Sequence, residues 1–297
     1  MRLESIGLRL VACAPLLAAC SGTAAPYTSD ADHGSTHALI TVERREVVDS
    51  KSAPQAKAFA SFVRTPPEVD ATVVTRIAGL DLRLPEVGSC ALASASSSKD
   101  SMVPLSPLSR IQLLDAGDVS LESASGRVEL APRAFPAVTD LVAGVVYTTR
   151  DRAATLPAGE AYALSVAGSS SVSALAVSAE APAPLQSVLL GGVPLEDSAR
   201  ALDARGTDVS WKPGAARDLV YAVVASADGA PHATCTFLDE AGAGVLPAFA
   251  VPSSALATLA LHRLRTVTLV GTGVDAIDAG ELRFDFELVA SVGISGR

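Results

Sequence analysis

Glu281-Leu282-Arg283-Phe284-Asp285-Phe286-Glu287-Leu288 is the stretch that decides the fold. Leucine or phenylalanine takes every second position, with arginine, aspartate or glutamate between them. Side chains of a β-strand alternate between the two faces of its sheet, so this run is apolar on one face and charged on the other. A half-buried antiparallel strand requires that pattern. The same period returns upstream: Val119 and Leu121 alternate with Ser120 and Glu122, Val128 and Leu130 flank Glu129, and Leu82 and Leu84 flank Arg83. Further strand candidates are 145–149, 161–166, 172–177, 220–224 and 267–270. Turn-formers such as Asp115-Ala116-Gly117, Ser125-Gly126, Gly191-Gly192 and Asp228-Gly229 separate them. Strands at this spacing without long helices between them predict an all-β protein built of sandwiches.

The strand-hostile stretch Ala181-Pro182-Ala183-Pro184 interrupts the alternation and predicts a linker at 181–184. On that reading 58–180 and 185–297 are two tandem β-sandwich domains. In the second, Trp211 on an early strand and Cys235 on a later one resemble immunoglobulin-like and fibronectin type III sandwiches. One short helix is expected at 253–261, where Pro252 and a capping Ser253 or Ser254 precede a run of Ala and Leu. Residues 21–37, rich in Ser, Thr, Ala, Gly and Asp, have the composition of a tether. Leu39, Ile40 and Val42 are able to begin a strand, but Glu43-Arg44-Arg45-Glu46 reads as a solvated charge cluster. The tether is therefore carried to residue 57.

Composition narrows the function classes. Of 297 residues, 49% are hydrophobic, yet no eighteen apolar residues run uninterrupted, which excludes a polytopic helical membrane protein. A formal charge of −9 argues against a nucleic-acid partner.

The first nineteen residues have the layout of an export signal: Arg2 and Arg9 near the start, then a short apolar run from Leu10 to Ala19. That run is too short to span a bilayer. Leu17-Ala18-Ala19-Cys20, followed by Ser21 and Gly22, resembles the lipobox of bacterial lipoproteins. The resemblance implies cleavage before Cys20, a diacylglycerol on its sulfur and acylation of the new amine. Residues 1–19 would then be a signal peptide, and 20–57 an acylated N-terminus and tether. Two or three acyl chains hold a protein on a membrane where one does not. Ser21, in place of the Asp that retains many such lipoproteins at the inner membrane, implies delivery to the outer membrane.

Asp115-Ala116-Gly117-Asp118-Val119, Val209-Ser210-Trp211, Cys235-Thr236-Phe237 and Val251-Pro252-Ser253-Ser254-Ala255-Leu256 are similar to segments of uncharacterised myxobacterial envelope lipoproteins. That family has no activity to carry over, and no functional residue follows from it.

Four cysteines are present. Cys13 falls in the signal and Cys20 is the lipid site. Cys90 and Cys235 are able to pair in an oxidising envelope, or to sit apart as small buried apolar residues. His33 and His37, with Asp30 and Asp32 near them, have a spacing that aligns metal ligands only on a helix, and the surrounding Gly, Ser and Thr argue against one. His232 and His262 are expected at the surface, and Trp211 in the core. Ser96-Ser97-Ser98-Lys99 satisfies Ser-x-x-Lys but lies in a polar loop without a Lys-Thr-Gly partner. The acidic loop groups Asp275, Asp278, Glu281 and Asp239, Glu240 are expected to be solvated, since neither matches a calcium loop. No catalytic set, metal site or cofactor motif stands out.

The expected protein is an outer-membrane lipoprotein anchored through Cys20, with a structural, adhesive or binding role toward an envelope or extracellular partner. Two alternatives remain: an envelope hydrolase with a site between the domains, and an accessory subunit of an outer-membrane assembly with an open sheet edge.

Overall fold

The computed structural model describes residues 34–67, 69, 79–80, 82–92, 111–135, 142–150, 155–203, 205–226, 229–248, 256–271 and 276–295. The segment 1–19 expected to be a signal peptide, the lipobox-like stretch ending at Cys20, and the Ser96 to Lys99 motif lie outside the described residues.

Eighteen strands carry the described chain. The first nine are β1 (Ser35–Val47), β2 (Gln55–Thr65), β3 (Cys90–Leu92), β4 (Ile111–Leu113), β5 (Val119–Ser123), β6 (Gly126–Phe135), β7 (Val142–Thr149), β8 (Ala161–Val166) and β9 (Leu175–Glu180). Then come β10 (Leu189–Leu190), β11 (Val193–Pro194), β12 (Ala201–Asp203), β13 (Thr207–Ser210), β14 (Leu219–Ser226), β15 (Pro231–Leu238), β16 (Ala243–Leu246), β17 (Leu256–Leu269) and β18 (Ala279–Ser295). The larger of two sheets has the order β3-β15-β14-β17-β18-β1-β2-β4-β7-β6-β5-β8-β9, with β12 also on β18. The smaller runs β11-β10-β13-β16. The protein is all-β, as the alternation predicted.

β18 is the spine. It pairs antiparallel with β17 through fourteen residue pairs and parallel with β1 on its other side. Leu282, Phe284 and Phe286 enter one buried cluster, while Ala290, Val292 and Ile294 enter a second. The first core also takes Ile40 and Val42 from β1, Phe62 from β2, Leu121 from β5 and Leu164 from β8. Those strands are far apart in the sheet order, so the sheet folds over on itself. The ring of Tyr162 on β8 meets that of Phe284 on β18 at 5.6 Å between centroids. The second core lies between the small sheet and β14, β15, β17 and β18, with Trp211 against Phe237.

Several expectations change. The predicted helix at 253–261 is the start of β17 instead: Ala257, Leu259 and Leu261 face the second core at a period of two. The Ala and Leu that favour a helix are overridden by pairing on both sides, with β14 and β18. The tether does not extend to residue 57. Ser35–Val47 is a central strand whose Ala38, Ile40 and Val42 are fully buried, and β2 begins at Gln55. The charges that argued for a solvated segment pair instead: Arg44 with Glu46, and Glu43 with Lys57 across to β2. Residues 82–84, read as a strand, are not one.

The two cores are not successive stretches of chain. His33–Arg297 is one compact unit in which β17 and β18 line both cores. The chain does pass from one core to the other at 181–184, but that stretch is fastened and not a free linker. Ala181 N–H donates to Glu160 O at 2.8 Å, and Gly159 N–H to Pro182 O at 2.9 Å. Arg263 Nη1 donates to the carbonyls of Ala183 and Pro184 at 3.1 and 3.0 Å.

Cys90 and Cys235 form a disulfide between β3 and β15, where they stand directly opposite each other. The immunoglobulin likeness therefore does not extend to the bridge. In those domains it joins the two sheets, whereas here it joins neighbouring strands of one sheet, and Cys90 comes from outside 185–297.

Candidate functional site

Core-facing residues of β17 alternate with outward-facing ones, and between the two cores both faces become polar. On the inner side the positions after Leu261 are Arg263 and Arg265, and the apolar series resumes at Val267 and Leu269. Arg263 Nη2 donates to Asp239 Oδ1 at 2.8 Å, and Trp211 Nε1 donates to the same oxygen at 2.8 Å. Arg265 clamps Asp218 through Nε and Nη2 and donates to Glu180 O at 2.7 Å. Asp239, expected in a solvated loop, is thus fully buried. Gly214 makes room for it, since a Cβ there would lie 2.0 Å from Asp239 Oδ2. This inner layer is closed and holds the chain crossing at 181–184.

The outer face at the same level is open. The register places Tyr221 of β14 opposite His262 of β17, His262 opposite Glu287 of β18, Glu287 opposite Arg45 of β1, and Arg45 opposite Gln55 of β2. One step along, Asp285 stands opposite Glu43, and Glu43 opposite Lys57. Even spacing of strands puts these side chains in two adjacent rows on one face. His262, Asp285, Glu287, Glu43, Arg45 and Lys57, with Arg44, Gln55 and Ala56, line a groove of about 330 Å³.

His262 is the pivot of the groove. Its ring stacks on Tyr221 at 4.1 Å, its Nδ1 is 2.8 Å from Asp285 Oδ1, and its Nε2 is 3.8 Å from Glu287 Oε1. Tyr221 donates its hydroxyl proton to Asp285 Oδ2 at 2.6 Å. Burial, and then the Asp285 carboxylate beside it, raise the phenol well above the usual tyrosine range. Arg45 Nε is 3.5 Å from Glu287 Oε2 at the rim. His262, Asp285 and Glu287 have side chains only 14%, 18% and 20% exposed, so the charged face of the deciding strand is largely withdrawn from water. The arrangement is a recessed, carboxylate-lined groove with an oriented imidazole, suited to holding a hydrogen-bonding ligand or polarising a water.

Residues 79–80 and 82–89 approach this face from its flanks. Arg283 holds the carbonyls of Gly79 and Leu80 at 3.2 and 3.1 Å, and Gly88 N–H donates to Thr236 O at 2.7 Å. The disulfide follows at Cys90.

The residues singled out from sequence are scattered. His37 lies in β1 with Nδ1 buried and unpartnered among the described residues, and burial lowers its pKa. His33 and Asp275 are outside the described residues. Asp278 accepts from Thr36 N–H at 2.7 Å, Glu281 pairs with Arg283, and His232 has a buried Nε2. Among the described residues no group of three or more His, Cys, Asp or Glu is placed to hold a metal ion. Sequence reasoning missed Tyr221 and the grouping of His262 with Asp285 and Glu287. The available signal was a polar residue at an outward position of each of three neighbouring strands.

No protein-family model matches the chain, and no curated protein matches it in sequence. Among solved structures, it is similar to the Mu homology domain of Fcho1 from Danio rerio, a structure with a bound Eps15 peptide. The two share 14% identity over 89% of this chain and 98% of that one, with a TM-score of 0.28, which carries no argument about fold or function.

Proposed function

We propose that the chain is an envelope lipoprotein, held on the outer membrane by acyl groups at Cys20, that binds a partner or ligand through the outer face of its large sheet. The observation that carries the reading is the Cys90–Cys235 disulfide. Such bonds persist in oxidising compartments outside the cytoplasm, which agrees with an export signal ending in Leu17-Ala18-Ala19-Cys20. The binding role is supported by the groove: it is recessed, lined by convergent charged groups, and built on four neighbouring strands that hold it rigidly.

Cell fractionation with protease shaving tests it. Wild type should partition with outer membranes, and Cys20→Ala should be released. An unchanged distribution of Cys20→Ala would end the lipoprotein reading.

A second reading is an envelope hydrolase. His262 oriented by Asp285 has the geometry of a general base with its positioning carboxylate. Among the described residues no hydroxyl or thiol is hydrogen-bonded to its Nε2, so water would be the nucleophile. Hydrolysis of envelope polymers that His262→Gln abolishes would favour this reading over simple binding.

A further inference from the structure

In its neutral form, with the proton on Nδ1, His262 turns a second acceptor toward the Glu287 carboxylate. Tyr221 gives its proton to Asp285 Oδ2, so Asp285 acts as an acceptor on both oxygens. The proton in the 2.8 Å contact between Asp285 Oδ1 and His262 Nδ1 must then come from the imidazole. A neutral ring with its proton on Nδ1 has its lone pair on Nε2. That nitrogen faces Glu287 Oε1 at 3.8 Å, too far for a hydrogen bond. Glu43, Asp285 and Glu287 supply three negative charges to the groove. Lys57 and Arg45 balance two of them from exposed rim positions, and Arg44 is engaged by Glu46.

We propose that this groove binds a primary ammonium group, with its N–H bonds directed to His262 Nε2 and the Glu287 carboxylate. An ammonium carries three donors and no acceptor, which matches two facing acceptors in a field of excess carboxylate. A groove of about 330 Å³ has room for the alkyl stem of a lysine side chain or a small amine. The inference deepens the binding reading above and rests on it. The anchor is tested by fractionation and this site by titration, so each fails on its own.

The experiment is an NMR titration of the full chain in detergent micelles at pH 8, following the His262 Cε1–H resonance. The probes are Nα-acetyl-lysine amide, butylamine, and Nα-acetyl-norleucine amide, which lacks the ammonium. A saturable shift with the lysine amide and none with the norleucine amide is the expected result. A shift with butylamine as well assigns recognition to the ammonium alone, whereas a shift with the lysine amide only assigns it to a peptidyl lysine. Glu287→Gln, which keeps the side-chain shape, should weaken binding about ten-fold or more. An equal response to the norleucine amide, no saturable response to either amine, or full affinity in Glu287→Gln would overturn the proposal. A native-like spectrum of Glu287→Gln establishes that its loss of binding is not a loss of fold.

Discussion

Arg265 and Asp218 meet with both ends of the guanidinium engaged: Nε lies 2.6 Å from Oδ1 and Nη2 lies 2.7 Å from Oδ2, with the two side chains 5% and 1% exposed. The pair closes the polar layer between the two cores. A buried charge is tolerated only when its partner and remaining donors are matched, and Arg265 spends a further donor on Glu180 O. Removing one member strands the other. Arg265→Met should cost about 3–5 kcal/mol of stability in urea denaturation. Replacing both, with Asp218→Leu added, should cost less than that single change. A single-variant loss below about 1 kcal/mol would contradict the assigned burial.

The disulfide closes a loop across 145 residues of sequence. In the chain-entropy model such a loop stabilises by about 5 kcal/mol, and removing native bridges costs about 2–5 kcal/mol in practice. Cys90→Ser and Cys235→Ser should each lower the denaturation midpoint by a similar amount, and reducing agent should have no further effect on either variant. Hydrogen exchange should quicken first in β3, which among the described residues pairs only with β15.

Tyr147, Tyr162 and Tyr221 are three of the four tyrosines, and each is raised above its ordinary pKa, first of all by burial. Tyr147, which donates to Asp115 and accepts from Ala116 N–H, is pushed up to about 12. A raised pKa means that the unfolded chain releases these protons first, near pH 10. The stabilising contribution is therefore full below pH 10 and is lost as pH rises toward 12. Absorbance at 295 nm should show at least three phenols still protonated at pH 10.5, and stability should fall between pH 10 and 12. Ordinary titration of all four near pH 10 in folded protein would contradict the burial.

Asp115 works in the opposite direction. Hydrogen bonds from the Tyr147 hydroxyl and the Gly117 N–H hold its carboxyl below the usual range. That contribution is present above the unfolded pKa near 4 and is lost as pH falls through the lowered folded value. Asp115→Asn should flatten the acid limb of the stability profile, and an unchanged limb would show that the pairing contributes nothing there.

The alternation at 282–288 carried the class of the fold, because each apolar residue there faces a core and each charged one the outer face. It carried less of β17. Arg263 and Arg265 interrupt the apolar face where it crosses the polar layer, so Ala257 to Leu261 read as an isolated helical run. β1 was hidden for a related reason: Glu43 and Arg45 look solvated until β2 and β18 bring Lys57 and Glu287 beside them. The groove was less legible still. Tyr221 and Asp285 are 64 residues apart and become neighbours only through the register of three strands. Each by itself is a polar residue at an outward position, which a surface strand also has.

Intact mass spectrometry of the protein extracted from membranes tests the proposed anchor at Cys20 most directly. The account predicts a chain that starts at Cys20 and carries a diacylglyceryl group with an N-acyl chain on the same residue. A chain of unmodified mass, or one that begins at any other residue, would contradict it.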